Sequence, residues 1–299
     1  MKLFDLHCDS LYRGYTENQP LGENRFHLDL KRGKRLDRWS QCFAVWIPDE
    51  LRGKAAMTLF DGCCEKFRRE LAPYRSETFS PVLTVEGGAV LGGKLANLEK
   101  LADRGVKMMT LTWNGENELG GGADTALGLT PFGREALKEM ERLSIVADVS
   151  HASDALFYDV AEIAEKPIVA SHSNARAVCP HRRNLTDRQF QILRDKGGLV
   201  GLNFCVHFLR EDSNAHFEDL LRHADHFWSL GGETTLCLGS DYDGTDVPPE
   251  LDGIEKMQDL YELFLKHNYK ESLVNSLFFD NASKFFATLQ ANLYIFVRG

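Results

Sequence analysis

Short apolar runs alternate with longer amphipathic stretches along almost the whole chain. The runs fall at 3–9, 42–47, 81–85, 106–112, 145–150, 167–171, 198–204 and 236–241. They are mostly continuous rather than alternating, which predicts strands covered on both faces, as in a parallel sheet. Between them, helical periodicity marks 54–71, 131–143, 153–165, 186–196 and 216–230. Thr130 followed by Pro131 reads as an N-cap with proline in the first helical position. Thr186 or Asp187 opens a later helix that stops near Gly197-Gly198. Strands separated by helices predict parallel βα units, and eight strands is the number that closes a barrel. The expected fold is therefore α/β, a (β/α)8 TIM-type barrel. A doubly wound open sheet is the rival, yet no GxGxxG or P-loop follows the first run.

No internal repeat, low-complexity segment or Pro/Ser-rich linker interrupts the 299 residues, so one domain spanning 1–299 is expected. Its tail, 290–299, carries the apolar stretch LYIFV at 293–297, which fits an added strand, a subunit contact or a cloning scar. The chain holds 35 basic and 44 acidic residues, a net charge of −9. That balance, with no Lys/Arg block, argues against a phosphate-binding surface, and nucleic acid is not an expected partner. Seven cysteines are scattered without a CxxC, so a reduced compartment is expected. No run reaches about 18 apolar residues, and the opening residues lack the apolar stretch of a signal peptide. No membrane association and a cytoplasmic location are the corresponding expectations.

Candidate chemistry gathers at the ends of the runs. His7 and Asp9 are two apart at the end of the first, where both side chains share one face. His151 and His172 each terminate an apolar run, and Glu86 closes the run at 81–85 before Gly87-Gly88. In a barrel this placement reads as catalytic, and imidazole with carboxylate is a zinc-ligand set. Asp241 ends the last run in the same manner, whereas Asp243, just before Gly244, fits a turn residue better. His216, His223 and His226 fall on a predicted helix and read as solvated or structurally satisfied.

With these pieces in order, HCD at 7–9, VEGG at 85–88, DVSH at 148–151, SHSNARAVCPHRRN at 171–184 and GSDYDG at 239–244, the chain resembles the membrane (renal) dipeptidases and their soluble bacterial relatives. The resemblance implies a metallo-dependent hydrolase barrel with two Zn²⁺ per chain. His7 and Asp9 would bind one ion, His151 and His172 the other, and Glu86 would bridge them. Arg183 would grip the substrate's terminal carboxylate, and Asp241 would be the catalytic acid/base. Arg182, its neighbour, reads as a solvated surface charge. The mammalian members carry a substrate-binding histidine where this chain has Trp113, which can donate one hydrogen bond but cannot titrate. Asn114 would supply the missing donor to substrate.

The implied reaction is zinc-dependent hydrolysis of dipeptides by a metal-bridged hydroxide, including dipeptides with a D-residue at the C-terminus. A carboxylate-gripping arginine equally suits an amidohydrolase of N-acyl amino acids or other small amides. A non-catalytic metal-binding protein is the third reading, disfavoured because it would need no Asp241. Dipeptide is the expected partner, and a homodimer is left open.

Overall fold

The computed structural model describes residues 1–296, with side chains through residue 289. Eight parallel strands pair in sequence order and close on themselves: β1 (Lys2–Asp5), β2 (Arg38–Trp46), β3 (Phe79–Glu86), β4 (Met108–Thr110), β5 (Val146–Asp148), β6 (Val169–Ala170), β7 (Leu199–Leu202) and β8 (Leu236–Leu238). The ring is sealed where Asp5 of β1 pairs with Leu238 of β8. Helices α1 (Ser10–Thr16), α2 (Gly53–Glu70), α3 (Ala96–Asp103), α4 (Pro131–Leu143), α5 (Asp154–Ile163), α6 (Asp187–Asp195), α7 (Phe217–Ser229) and α8 (Met257–Lys266) follow the strands in turn. A last helix, α9 (Asn281–Phe296), ends the described chain. The expected closed barrel is the observed one, and the open sheet is ruled out. The apolar segment at 293–297 lies outside the residues whose side chains are described.

The local signals for the helices act as anticipated. Thr130 accepts a hydrogen bond from the Gly133 N–H ahead of Pro131. Thr186, rather than Asp187, caps α6: its Oγ1 accepts from the Gln189 N–H while Gln189 Oε1 accepts from the Thr186 N–H. Inside the barrel, Phe4, Cys42, Met108, Val146, Val169 and Leu199 pack into one cluster with Phe279 and Phe286.

Several strands stop earlier than the apolar runs. The run at 3–9 yields β1 ending at Asp5, 145–150 yields β5 ending at Asp148, and 236–241 yields β8 ending at Leu238. Hydrophobicity continues past these points, but the regular ladder is interrupted, and beyond β1 it resumes only as an isolated bridge between Cys8 and Tyr242. At the top of the barrel the Asp5 and Asp148 carboxylates accept backbone N–H groups that a neighbouring strand's carbonyl would otherwise take. His7 and Asp9 consequently sit just beyond β1, with Asp9 at the N-cap of α1. Conversely, β2 starts at Arg38, ahead of its apolar run, because pairing with both β1 and β3 overrides polar Arg38 and Ser40.

His223 on α7 ties down the long loop after β6. Its Nδ1 accepts from the Ala175 N–H at 3.1 Å and its Nε2–H donates to the Leu209 carbonyl at 3.0 Å. Burial lowers its pKa from 6.5 to about 4, so the folded state holds it neutral. The corresponding stability is fully present above pH 6.5 and is lost as pH falls from 6.5 through about 4. A His223→Gln variant cannot titrate, so its stability deficit relative to the parent should shrink by about 3 kcal/mol between pH 7 and 4. Urea midpoints measured at both pH values check this, and a deficit constant with pH would contradict it.

Candidate metal centre

The C-terminal ends of the strands gather their donors at one rim. Glu86 is the last residue of β3, while His151 and His172 lie two or three residues beyond β5 and β6. All five expected metal ligands are buried, with His172 at 0% exposure and Asp9 the second most open at 6%. Two site residues hold left-handed backbone conformations uncommon for non-glycine residues, His151 at φ +66° and Asp241 at φ +61°. Such backbone is retained where surrounding contacts over-determine it, and it aims both side chains inward.

The geometry divides around Glu86. Its Oε1 lies 2.9 Å from His151 Nε2 and 3.4 Å from His172 Nε2, while Oε2 lies 3.8 Å from His7 Nε2. On that second side, His7 Nε2 is 3.3 Å from Asp9 Oδ2. Two ligands of a tetrahedral ion bound at roughly 2.0–2.1 Å stand about 3.4 Å apart, so these spacings suit shared coordination spheres. One carboxylate thus faces two ligand sets. Asp241 Oδ1 stands 3.8 Å from the same His7 nitrogen, and its Oδ2 accepts from Asn203 Nδ2 at 3.0 Å.

Charge and hydrogen bonding support a cation here. Among the described residues, His172 Nε2 and Asp9 Oδ1 are buried without a hydrogen-bond partner. Burial pushes the Glu86 carboxyl well up and that of Asp241 up as well. It opposes charge on His7, but Glu86, Asp9 and Asp241 outweigh it and raise that imidazole to about 10. His151 and His172 are pushed well down by burial, leaving neutral imidazoles, the form that binds metal. Three carboxylates and three imidazoles with orphaned atoms fit a bound metal cation.

Second contacts orient the rings. His151 Nδ1 meets Asn114 Oδ1 at 2.8 Å, so Asn114 orients the His151 ring as well as lining the cavity. Its loop is set by Asp49, which accepts the Gly115 N–H at 2.7 Å. The cavity above the ligands, about 380 Å³, is walled by Tyr12, Trp46, Trp113 and Phe208. Trp46 meets Tyr12 and Trp113 edge-on, each at 5.0 Å between ring centroids. Trp113 stands where the sequence placed it, at the family's substrate-binding position, whereas Tyr12, Trp46 and Phe208 were not among the expected site residues, although Trp46 ends β2 at the same rim as Glu86 ends β3. A cavity of about 400 Å³ at the opposite end of the barrel, between Phe4, Lys107 and Phe286, contains none of the ligands.

Arg183 is buried at 6% exposure, and its Nε and Nη2 have no partner. The guanidinium lies over the Phe208 ring, 5.3 Å from its centroid, rather than in the cavity wall itself. Arg182 instead faces solvent and pairs with Asp124 at 2.6 Å, the surface role expected for it. Asp243, the turn candidate, accepts from the His27 N–H at 2.8 Å and from the Ser10 hydroxyl.

Histidine and carboxylate donors buried at the catalytic rim of a (β/α)8 barrel define a metal-dependent hydrolase. Comparison with known proteins narrows the class. The chain belongs to the membrane dipeptidase family, peptidase family M19, whose family model matches residues 1–293. The activity that follows is metal-dependent hydrolysis of dipeptides. A solved family M19 metallopeptidase, dipeptidase AC, is 30% identical, with a TM-score of 0.89 over 97% of this chain and 98% of that one. A metallopeptidase from Rhodobacter sphaeroides, solved with a phosphinate mimic of L-Ala-D-Ala, is 28% identical, with a TM-score of 0.85 over 97% and 99%. A Klebsiella pneumoniae protein, described as uncharacterized and lying in the pqqA 5′ region, is 35% identical over 212 residues, 67% of this chain and 78% of that protein.

Proposed function

We propose that the chain is a dizinc dipeptidase, with His7 and Asp9 on one ion, His151 and His172 on the other, and Glu86 bridging. The observation that carries this reading is the division of Glu86, whose two oxygens face separate imidazole sets. When bound, the metal pair supplies Lewis-acid polarisation of the scissile carbonyl and an acidified water. Asn203 occupies one oxygen of Asp241, so the other, Oδ1, takes the proton from the attacking water and returns it to the leaving amine. Arg183, whose guanidinium packs against Phe208 of the cavity wall, holds the substrate's terminal carboxylate. A grip on the carboxylate, rather than a tight side-chain pocket, admits either configuration at the C-terminal residue. The R. sphaeroides protein's L-Ala-D-Ala mimic supports this. The seven unpaired, buried cysteines support action in a reducing compartment, the cytoplasm.

The test is turnover of L,L- and L,D-dipeptides, their C-terminal amides and N-acyl amino acids by the parent protein and Arg183→Ala. Both dipeptide classes should be cut, and the free acids preferred over amides. Arg183→Ala should lower kcat/KM for dipeptides by about 10–100-fold, the loss of hydrogen bonds to a charged group worth roughly 1.5–3 kcal/mol. Amides should change little. Equal losses on acids and amides would reduce Arg183 to a loop brace, and a preference for N-acyl amino acids would favour the amidohydrolase reading.

A further inference from the structure

Two fully buried aspartates outside the ligand set make the same four hydrogen bonds. Asp5 Oδ1 accepts the His7 N–H at 3.4 Å and the Ser240 N–H at 2.8 Å, and its Oδ2 accepts the Ser240 hydroxyl at 2.6 Å and Gln41 Nε2 at 2.9 Å. Asp148 Oδ1 accepts the Ser150 and Ser171 N–H groups, each at 2.9 Å, and its Oδ2 accepts the Ser171 and Thr110 hydroxyls, each at 2.6 Å. Each carboxylate therefore ties three adjacent strands: its own, the serine past the end of one neighbour, and a polar side chain from the other. In both cases that serine immediately precedes a site residue, Ser240 before Asp241 and Ser171 before His172. The aspartates and both serines are 0% exposed.

We propose that Asp148–Ser171 and Asp5–Ser240 are paired positioning devices that set, respectively, the tautomer of His172 and the placement of Asp241. The inference rests on the dizinc reading above. The proton directions make the first device more than a brace. A carboxylate only accepts, so the Ser171 hydroxyl donates to Asp148. Ser171 Oγ, 2.8 Å from His172 Nδ1, then accepts the Nδ1 proton. His172 is left with its lone pair on Nε2, the buried atom without a hydrogen bond that faces Glu86. Through the serine, the carboxylate selects the metal-binding tautomer before any ion arrives. On the other side of the barrel, Ser240 also accepts the Tyr242 N–H at 3.2 Å, so it grips both flanks of Asp241 in its left-handed conformation.

Three variants test the first device and one the second. Ser171→Ala removes the relay and should weaken zinc affinity, read by chelator competition, by about 10–100-fold. Ser171→Thr keeps the hydroxyl and should restore affinity to within about threefold of the parent. Asp148→Asn presents an NH₂ group to the two hydroxyls, turning the Ser171 proton toward His172. Histidine ¹⁵N NMR of the metal-free protein should then show His172 shifting from the Nδ1–H to the Nε2–H tautomer. Ser240→Ala should leave zinc affinity unchanged and lower kcat about tenfold or more, with KM unmoved. The proposal is overturned if Ser171→Ala binds zinc like the parent. It is equally overturned if affinity falls only in proportion to the urea midpoint of the metal-free protein. A parent protein that binds no metal and cuts no dipeptide would instead remove the functional reading beneath it.

Discussion

Asp241→Asn should retain the metals yet lower kcat by about 10²–10⁴-fold, the usual cost of losing a general acid/base. The substitution is nearly isosteric, and an amide can still pair with Asn203, which now holds Oδ2 at 3.0 Å. What it loses is an oxygen able to accept and release a proton on the side facing the ligands. Asp241 Oδ1 lies close to His7 and His172 and so stands within reach of a coordination sphere as well. Counting metal per chain alongside kcat separates these roles. Loss of turnover with full metal content supports the proton shuttle. Loss of a metal ion would make Asp241 a ligand, and near-normal turnover would place the shuttle elsewhere. Asp243, engaged by Ser10 and the His27 N–H, is the next carboxylate to test.

Stripping the metal with a chelator should abolish dipeptide hydrolysis while leaving the barrel folded. The two effects separate because the ligands sit above, rather than within, the apolar core. Strand pairing closes the ring, and Phe4, Met108 and Val169 pack beneath the site without any donor from it. A chain of this length buries enough surface to fold without a metal. Metal that binds only the folded state should still add stability, about 4 kcal/mol at a free concentration 1,000 times its Kd. Circular dichroism and urea midpoints on stripped and reloaded protein check the fold, and elemental analysis against turnover checks the metal. Active protein without transition metal would refute the site assignment. Collapse of the fold on stripping would show that the core depends on it.

Much of this was readable along the chain because the signals are local. Apolar runs covered on both faces and caps such as Thr130-Pro131 depend on neighbours in sequence, and they define the βα alternation, whereas closure rests on the pairing of β1 with β8. Donor-type residues at the ends of apolar runs are local too, which is why His7, Asp9, Glu86, His151, His172 and Asp241 stood out before any contact was known. Strand ends were less legible. Hydrophobicity persists past Asp5 and Asp148, and only through-space bonds from Ser240 and Ser171 show where the ladder gives way to side-chain acceptors.

The tertiary structure decided how the donors meet. No spacing in the chain states which Glu86 oxygen faces which imidazole, or that Asn114 orients His151 while Arg183 lies over Phe208. Nor could it show that Asp5 grips a serine 235 residues away. The type of each donor and its place at a strand end are properties of a short segment. Distance, hydrogen-bond direction and burial belong to pairs of segments, and they exist only once the barrel has closed.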